Sequence, residues 1–258
     1  MGLARRLLGS GHIRDEAASL FRPHVPKGRI LDLPAGDGVN SLALAAAGYE
    51  VVAADLFPES CRAEGCTVVK ADLVRPLPFP DASFDGVLFS EGIEHLDAQV
   101  AALREMARVL RPGGVLVVTT PNVLSLRARL AAMLTAHAHP TRALVVRTRG
   151  LWGAGSREEG EVYFGHVFLI NAFQLRFYLE HAGLRVVGVG TARWSIHSLL
   201  LAPFLLLPIW VSTRLALRNR RSKVSPALRR ELAGQVLGPS LLFGNKLVMT
   251  ARKPGPGE

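Results

Sequence analysis

Apolar positions follow two different periods along the first half of the chain. Short runs rich in Val, Leu, Ile or Phe, each bounded by Gly, Pro or Asp, are typical of buried strands. The predicted strands are Arg29–Leu33, Glu50–Ala54, Thr67–Lys70, Phe84–Phe89 and Val115–Thr119. The helices predicted between them are Asn40–Ala47, Glu59–Glu64 and Ala98–Leu110. Alternating strands and helices predict an α/β fold, with a parallel sheet covered by helices on both faces.

The rhythm changes after Pro121. A basic amphipathic helix is predicted from Val123 to about Ala136, and a second helix over Asn171–His181. Leu184–Thr191 and Lys246–Arg252 have the pattern of two final strands. We interpret residues 1–258 as a single domain with two insertions. Residues 123–165 form the first, a predicted lid, and residues 196–240 the second, which is apolar and basic.

Composition narrows the class of protein. A chain of 258 residues that is 49% hydrophobic is large enough to bury a core and too apolar to be disordered. Two cysteines exclude a disulfide scaffold. The first residues lack the apolar stretch of a secretory signal, so we expect the protein to act in the cytoplasm.

The net charge of +10 is spread unevenly. Residues 1–122 carry 12 Lys and Arg against 15 Asp and Glu, whereas residues 123–157 carry six Arg and no acid. Residues 191–258 carry 11 Lys and Arg against two Glu. This asymmetry indicates an anionic partner, such as a membrane, a nucleic acid or a phosphorylated substrate, or else a solvated basic face.

The segment ILDLPAGDG, Ile30–Gly38, combines an apolar strand, an acid and a tight turn before a helix. Gly36 and Gly38 allow a ligand to approach the backbone closely. The spacing does not fit the dinucleotide pattern G-x-G-x-x-G, because Pro34 and Ser41 occupy glycine positions in its two possible alignments. Asp37 adds a negative charge that disfavours a pyrophosphate, so a cationic sulfonium ligand with an ammonium group suits the turn better.

Two further acids follow predicted strands. Asp55 closes VVAAD, where it is placed to accept hydrogen bonds from ribose hydroxyls. Asp72 closes VVKAD with Leu73 beside it, where the pair is placed to meet an adenine amine and its ring face.

Together these segments resemble the class I S-adenosylmethionine (SAM)-dependent methyltransferases. The matching series is ILDLPAGDG, VVAADL, VKADLVRPLPFPDASFDGVLFSEGIEHL and EMARVLRPGGVLVVTTPN. It is most similar to ubiquinone-biosynthesis O-methyltransferases and to methyltransferases encoded beside bacterial cell-surface glycan genes. The resemblance covers residues 28–122 well and 160–190 loosely. It implies a Rossmann-like seven-stranded sheet, with the seventh strand antiparallel between the fifth and the sixth, and SAM as the cofactor.

The resemblance also implies roles for individual residues. Asp32, Gly36 and Gly38 would shape the methionine end of the cofactor site, and Asp55 would hold the ribose. Asp72 and Leu73 would hold the adenine. Ser90 and Glu91 would line the side where the methyl group is transferred. Pro34 departs from the family, which usually has Gly at that position.

Transfer of a methyl group to a hydroxyl needs a base that removes the proton. The candidates are His166 and His95, with Glu94 less favoured. The structural alternatives are a helix-entry hydrogen bond for His166 and packing under the sheet for His95. Glu91, Glu94 and His95 also match a metal-binding triplet of some ubiquinone-pathway relatives. Oxygen-rich ligands of this kind would suit Mg²⁺, but we predict a site without a metal.

Residues 198–213 contain no charge, and five basic residues follow them before residue 224. The run is shorter than a usual bilayer span, and Pro203 and Pro208 are expected to break it into short pieces. Because the strands on either side would belong to one sheet, a single span is excluded. We therefore expect a shallow re-entrant hairpin or an in-plane anchor, with a buried core helix as the alternative.

These observations favour a SAM-dependent methyltransferase. We expect O-methylation of a lipid-linked or glycan-related acceptor, with the enzyme bound peripherally at the inner face of the cell membrane. One alternative is a soluble small-molecule methyltransferase, and another is a non-catalytic interaction module with the same fold. A nucleic-acid substrate is disfavoured, because the chain lacks Asn-Pro-Pro-Tyr and Asp-Pro-Pro-Tyr motifs and has few aromatic residues near its basic segments. The sequence does not specify an oligomeric state.

Overall fold

The computed structural model describes residues 14–138, 166, 168–218, 225–255 and 257. Its centre is a seven-stranded sheet in the order β3-β2-β1-β4-β5-β7-β6. The strands are β1 Arg29–Asp32, β2 Glu50–Asp55, β3 Thr67–Lys70, β4 Phe84–Ser90, β5 Leu110–Pro121, β6 Arg185–Gly190 and β7 Lys246–Arg252. The pairs among β1 to β5 are parallel, and β7 is antiparallel to both of its neighbours. The predicted sheet and the place of its antiparallel strand are confirmed.

Helices cover the sheet and extend beyond it. They are α1 Arg14–Phe21, α2 Val39–Ala46, α3 Gln99–Val109, α4 Leu126–Thr135, α5 Ala172–His181, α6 Ile196–Leu217, α7 Pro226–Val236 and α8 Pro239–Phe243. Short 3₁₀ turns form at Pro58–Ser60 and Ile93–His95.

The core lies on both faces of the sheet. On one face, side chains such as Phe84, Phe89 and Met106 pack in a large apolar cluster. On the other, Phe21 and Ile30 belong to a smaller cluster. Successive residues of a strand point to opposite faces, which is why near-continuous apolar runs were the correct signal for strands buried on both sides.

The helix predicted over Glu59–Glu64 is wrong. Only the 3₁₀ turn Pro58–Ser60 forms, and the chain is irregular after it until β3. The backbone N–H of Arg62 donates to the carbonyl of Asp37 at 3.0 Å. This hydrogen bond ties the segment to the glycine turn after β1, and a helix would direct that N–H elsewhere.

The expectation that two prolines break the uncharged run of residues 198–213 is also wrong. α6 is one helix of 22 residues that continues through Pro203 and Pro208. Each proline removes a single helical hydrogen bond, and the rest of the ladder remains. Among the described residues, α6 is the one helix that is long and apolar enough to cross a membrane by length and composition. Ser198 is its single buried residue, so α6 is not a core helix.

Candidate active site

A pocket of about 600 Å³ lies where the first four strands end. Its lining includes five of the predicted site residues, namely Asp55, Asp72, Leu73, Glu91 and His95. Open α/β sheets place ligands at the carboxyl ends of their strands, and the volume is in the range of small-molecule sites. Asp32, Gly36, Gly38, Ser90 and His166 are not among the described residues that line the pocket.

The glycine turn after β1 requires both of its glycines. Gly36 and Gly38 have φ of 56° and 85°, in the left-handed region that other residues avoid. A Cβ at Gly38 would lie 2.8 Å from the backbone nitrogen of Ala63, so the turn packs tightly there. A Cβ at Gly36 would meet nothing within 4 Å. Gly36 therefore faces open space that a ligand could approach.

Asp55 connects the glycine turn to the end of β2. One carboxylate oxygen accepts the N–H of Gly36 at 2.8 Å, and the other accepts the N–H of Phe57 at 2.9 Å. The side chain is largely buried but still lines the pocket. Each carboxylate oxygen has a second lone pair, so the group retains capacity for a ligand hydroxyl.

Asp32 lies beneath the turn and is fully buried. Ser41, on α2, donates its hydroxyl to one carboxylate oxygen at 2.6 Å. The other oxygen has no hydrogen-bond partner among the described residues. Burial, with a smaller contribution from the charge of Asp55, raises the pKa of Asp32 to about 7. A buried acid with a free oxygen favours a cationic group nearby.

The third strand leads to Asp72 and Leu73. Asp72 accepts the N–H of Val74 at 3.0 Å, which fixes the chain as it leaves β3. Leu33 and Phe57 provide further apolar lining of the pocket. Sequence reasoning did not single out Phe57, although its position two residues after Asp55 was an available signal.

Ser90 and Glu91 are held by side chains from β5 and β7. The Thr119 hydroxyl lies 3.0 Å from the Ser90 hydroxyl and donates to Glu91 at 3.1 Å. The Lys246 ammonium lies 3.2 Å from the other Glu91 oxygen. Lys246 is the first residue of β7, far from Glu91 in the chain, so no local motif pointed to this ion pair.

Glu94, His95 and His166 form a cluster beside the pocket, and their ligand atoms all lie within 4.8 Å of one another. The His95 and His166 rings meet edge to face with centroids 5.3 Å apart. Nε2 of His166 is 4.0 Å from Oε1 of Glu94. Of the two predicted bases, His95 lines the pocket, whereas His166 is buried and is not among the described residues that line it.

Hydrogen bonds from neighbouring elements hold the cluster in place. Glu94 is fully buried and accepts the Thr120 hydroxyl at 3.0 Å. Burial, and then the charge of Glu91, raise the pKa of Glu94. The Gln99 amide donates to the carbonyls of Ile93 and Phe168 at 2.9 and 2.8 Å. Gln99 thereby joins the 3₁₀ turn to the segment after His166, a role that the sequence did not suggest.

The magnesium alternative named Glu91, Glu94 and His95. Within the described residues, the group with metal-ligand spacing contains His166 in place of Glu91. Two imidazoles and one carboxylate suit transition metals better than Mg²⁺, which prefers oxygen ligands.

The predicted lid is described only in its first part. α4 follows the end of β5, and residues 139–165 lie outside the described part of the chain. Arg129 of this helix is partly buried and donates to the Leu124 carbonyl at 2.7 Å. Arg129 therefore braces the start of α4, whereas Arg127 is exposed.

The part of the chain that matches known proteins in sequence also contains the residues that line the pocket. Residues 31–118, from β1 to β5, match a family model described as a methyltransferase domain. The demethylmenaquinone methyltransferase of Mycobacterium sp. (strain KMS) is 47% identical over 96 residues, which are 36% of this chain and 41% of that protein. The chain thus spans about two fifths of the length of the curated relatives it matches.

Solved structures extend the likeness to the whole fold. A SAM-dependent methyltransferase from Archaeoglobus fulgidus has a TM-score of 0.56 at 20% identity, covering 97% of each chain. The 1,6-didemethyltoxoflavin-N1-methyltransferase of Burkholderia thailandensis, solved with S-adenosylhomocysteine bound, has a TM-score of 0.51 at 16% identity. That match covers 95% of this chain and 80% of the other. At these identities the likeness concerns the fold, which is that of the class I methyltransferases.

Proposed function

We propose that this methyltransferase domain transfers a methyl group from SAM to a hydroxyl of a lipid-linked or glycan-related acceptor. We place the reaction at the cytoplasmic face of a membrane. The observation that carries the proposal is a single pocket that gathers Asp55, Asp72 and Leu73 from successive strand ends. This pocket lies within the region that matches the methyltransferase family.

The described residues fit SAM. Gly36 leaves open space in front of the turn. The free oxygen of buried Asp32 favours the cationic methionine end of the cofactor. Asp55 would accept hydrogen bonds from the ribose, and Asp72 with Leu73 would hold the adenine. When bound, SAM supplies an activated methyl group, so the protein's task is alignment and proton removal.

His95 is the residue best placed to take the proton of the acceptor, because it lines the pocket beside Glu91. His166 and Glu94 are buried and belong to the same cluster as His95. We assign these two residues to positioning the His95 ring, which reverses the order in which sequence reasoning ranked the two histidines.

The acceptor class is supported by two observations. The relatives over the matched region are named demethylmenaquinone methyltransferases, so an isoprenoid quinone is one lipid acceptor to test. α6 also leaves large apolar side chains exposed, which suits an enzyme that meets lipid.

The cofactor assignment predicts that Asp55→Asn weakens SAM binding by at least about tenfold, because one charged acceptor of hydrogen bonds is lost. Glu64→Gln is the matched control, since Glu64 is an exposed acid that is not among the residues lining the pocket. Calorimetric titration with SAM measures both variants, and thermal unfolding verifies that they fold. Equal SAM affinity in Asp55→Asn and wild type would refute the assignment. SAM binding without methyl transfer to any lipid or glycan extract would favour the non-catalytic module.

A further inference from the structure

α6 presents an apolar surface that no described part of the chain covers. Half of the exposed large hydrophobic side chains among the described residues belong to this helix. Phe204 is 74% exposed, and Leu200 and Leu207 are each 68% exposed. None of the residues in the most apolar 18-residue window of α6 is buried.

The neighbouring helix α4 also exposes apolar side chains near its end. Met133 and Leu134 are 72% and 71% exposed, and α4 packs against α6. The backbone N–H of Arg127 donates to the Ser198 hydroxyl at 3.3 Å, which links the two helices. We call the exposed side chains of these helices the apolar face, formed by Leu200, Phe204, Leu207, Leu215, Met133 and Leu134. Large exposed apolar surfaces mark interaction sites.

Both ends of α6 are fastened to the domain. At its start, the N–H of Ser195 donates to the Phe243 carbonyl at 2.6 Å. At its end, the Arg229 guanidinium donates to the Leu217 carbonyl at 3.0 Å. A helix that crosses a bilayer has its ends on opposite sides of a hydrocarbon layer about 30 Å thick. These contacts therefore favour a helix that lies along a membrane over one that crosses it.

The charge around the apolar face is positive. Arg214 and Arg218 are exposed at the end of α6, and the Arg214 guanidinium lies 5.3 Å from the centre of the Trp210 ring. The helix contains no acid. This charge complements anionic lipid headgroups, whereas the same helix of a second copy offers these arginines no acidic partner.

The apolar face and the pocket belong to the same edge of the sheet. α4 follows the carboxyl end of β5 and α6 follows that of β6. β7 runs the other way, so it begins at this edge, where Lys246 pairs with the pocket residue Glu91. A membrane that contacts the apolar face would therefore lie at the end of the domain where the pocket is formed.

We propose that the apolar face docks onto an anionic lipid bilayer, with α6 lying in the plane of the interface. This docking specifies how the proposed enzyme would meet a lipid-linked acceptor. Docking can be measured without methyl transfer, and SAM titration tests the pocket separately.

The test is co-sedimentation of the full chain with vesicles of phosphatidylglycerol and phosphatidylcholine, compared with vesicles of phosphatidylcholine alone. Wild type is expected to bind the anionic vesicles and to be released by high salt. A Phe204→Gln/Leu207→Gln variant is expected to lose at least about tenfold in partitioning, because apolar area drives interfacial binding. An Arg214→Gln/Arg218→Gln variant should lose its preference for anionic lipid.

Phe177→Gln is the control, because Phe177 is 62% exposed but lies on α5. It should bind vesicles like wild type. Titration with SAM checks that the pocket of every variant still binds the cofactor. Absence of wild-type binding, or equal binding by Phe204→Gln/Leu207→Gln and wild type, would overturn the proposal. A stable dimer that does not bind vesicles would show that the partner of the apolar face is a second copy and not lipid. Resistance of bound protein to an alkaline carbonate wash would show that α6 spans the membrane and does not lie in its plane.

Discussion

Replacing His95 by Ala is expected to lower kcat by about 10²- to 10⁴-fold, the usual contribution of a positioned general base. His95 lines the pocket, and its ring is held against His166. SAM affinity should change far less than kcat, because the proposed cofactor contacts come from Asp55, Asp72 and Leu73. The assay is transfer of radiolabel from SAM to the organic extract of host membranes, with SAM affinity measured separately.

His24→Ala provides the control for this experiment, because His24 is exposed and lies between α1 and β1. It should retain wild-type turnover. His166→Gln tests the positioning role, and it should lower kcat less than His95→Ala without changing SAM affinity. Full turnover in His95→Ala, with a normal pH profile, would remove His95 from the mechanism.

The cofactor-free protein is expected to lose stability as pH rises through the range in which Asp32 titrates. Burial raises the pKa of Asp32 from 3.8 to about 7, so the folded state keeps a proton that the unfolded chain has already released. Between those two pKa values, the free energy of unfolding falls with rising pH, and above the folded pKa it levels off. At about 1.4 kcal/mol per pH unit for one proton, the loss reaches roughly 4 kcal/mol.

Asp32→Asn removes this titration and should make the dependence of stability on pH less steep, and the dependence that remains is assigned to Glu94, whose pKa burial also raises. Glu64→Gln, at an exposed position before β3, should keep the wild-type dependence. Urea unfolding at several pH values between about pH 4 and about pH 8 measures all three proteins, since stability follows the difference in bound protons. If Asp32→Asn and wild type lose stability in parallel, the carboxyl group of Asp32 is charged in the folded protein and the interpretation is wrong.

The sheet could be predicted from the sequence because its signals are local. All seven strands are fully or partly apolar runs, and each overlaps the range predicted for it. The acids at the ends of β2 and β3 are predictable for the same reason. Once the strands are parallel and adjacent, Asp55 and Asp72 must lie at one edge of the sheet.

The interactions that complete the site join distant parts of the chain. Lys246 reaches Glu91 only because β7 inserts next to β5, and Gln99 contacts Phe168 only after α3 has packed. Spacing rules along the sequence do not predict pairs between such distant residues. The prediction for α6 also failed, because it gave the helix-breaking effect of proline more weight than the continuous apolar run.

A crystal structure of the protein with S-adenosylhomocysteine tests the central claim most directly, because it places each part of the cofactor against named residues. We expect the ribose hydroxyls on the Asp55 carboxylate, the adenine beside Asp72 and Leu73, and the sulfur on the side of the pocket that contains His95. A ligand bound elsewhere, with the pocket beside the glycine turn unfilled, would contradict it.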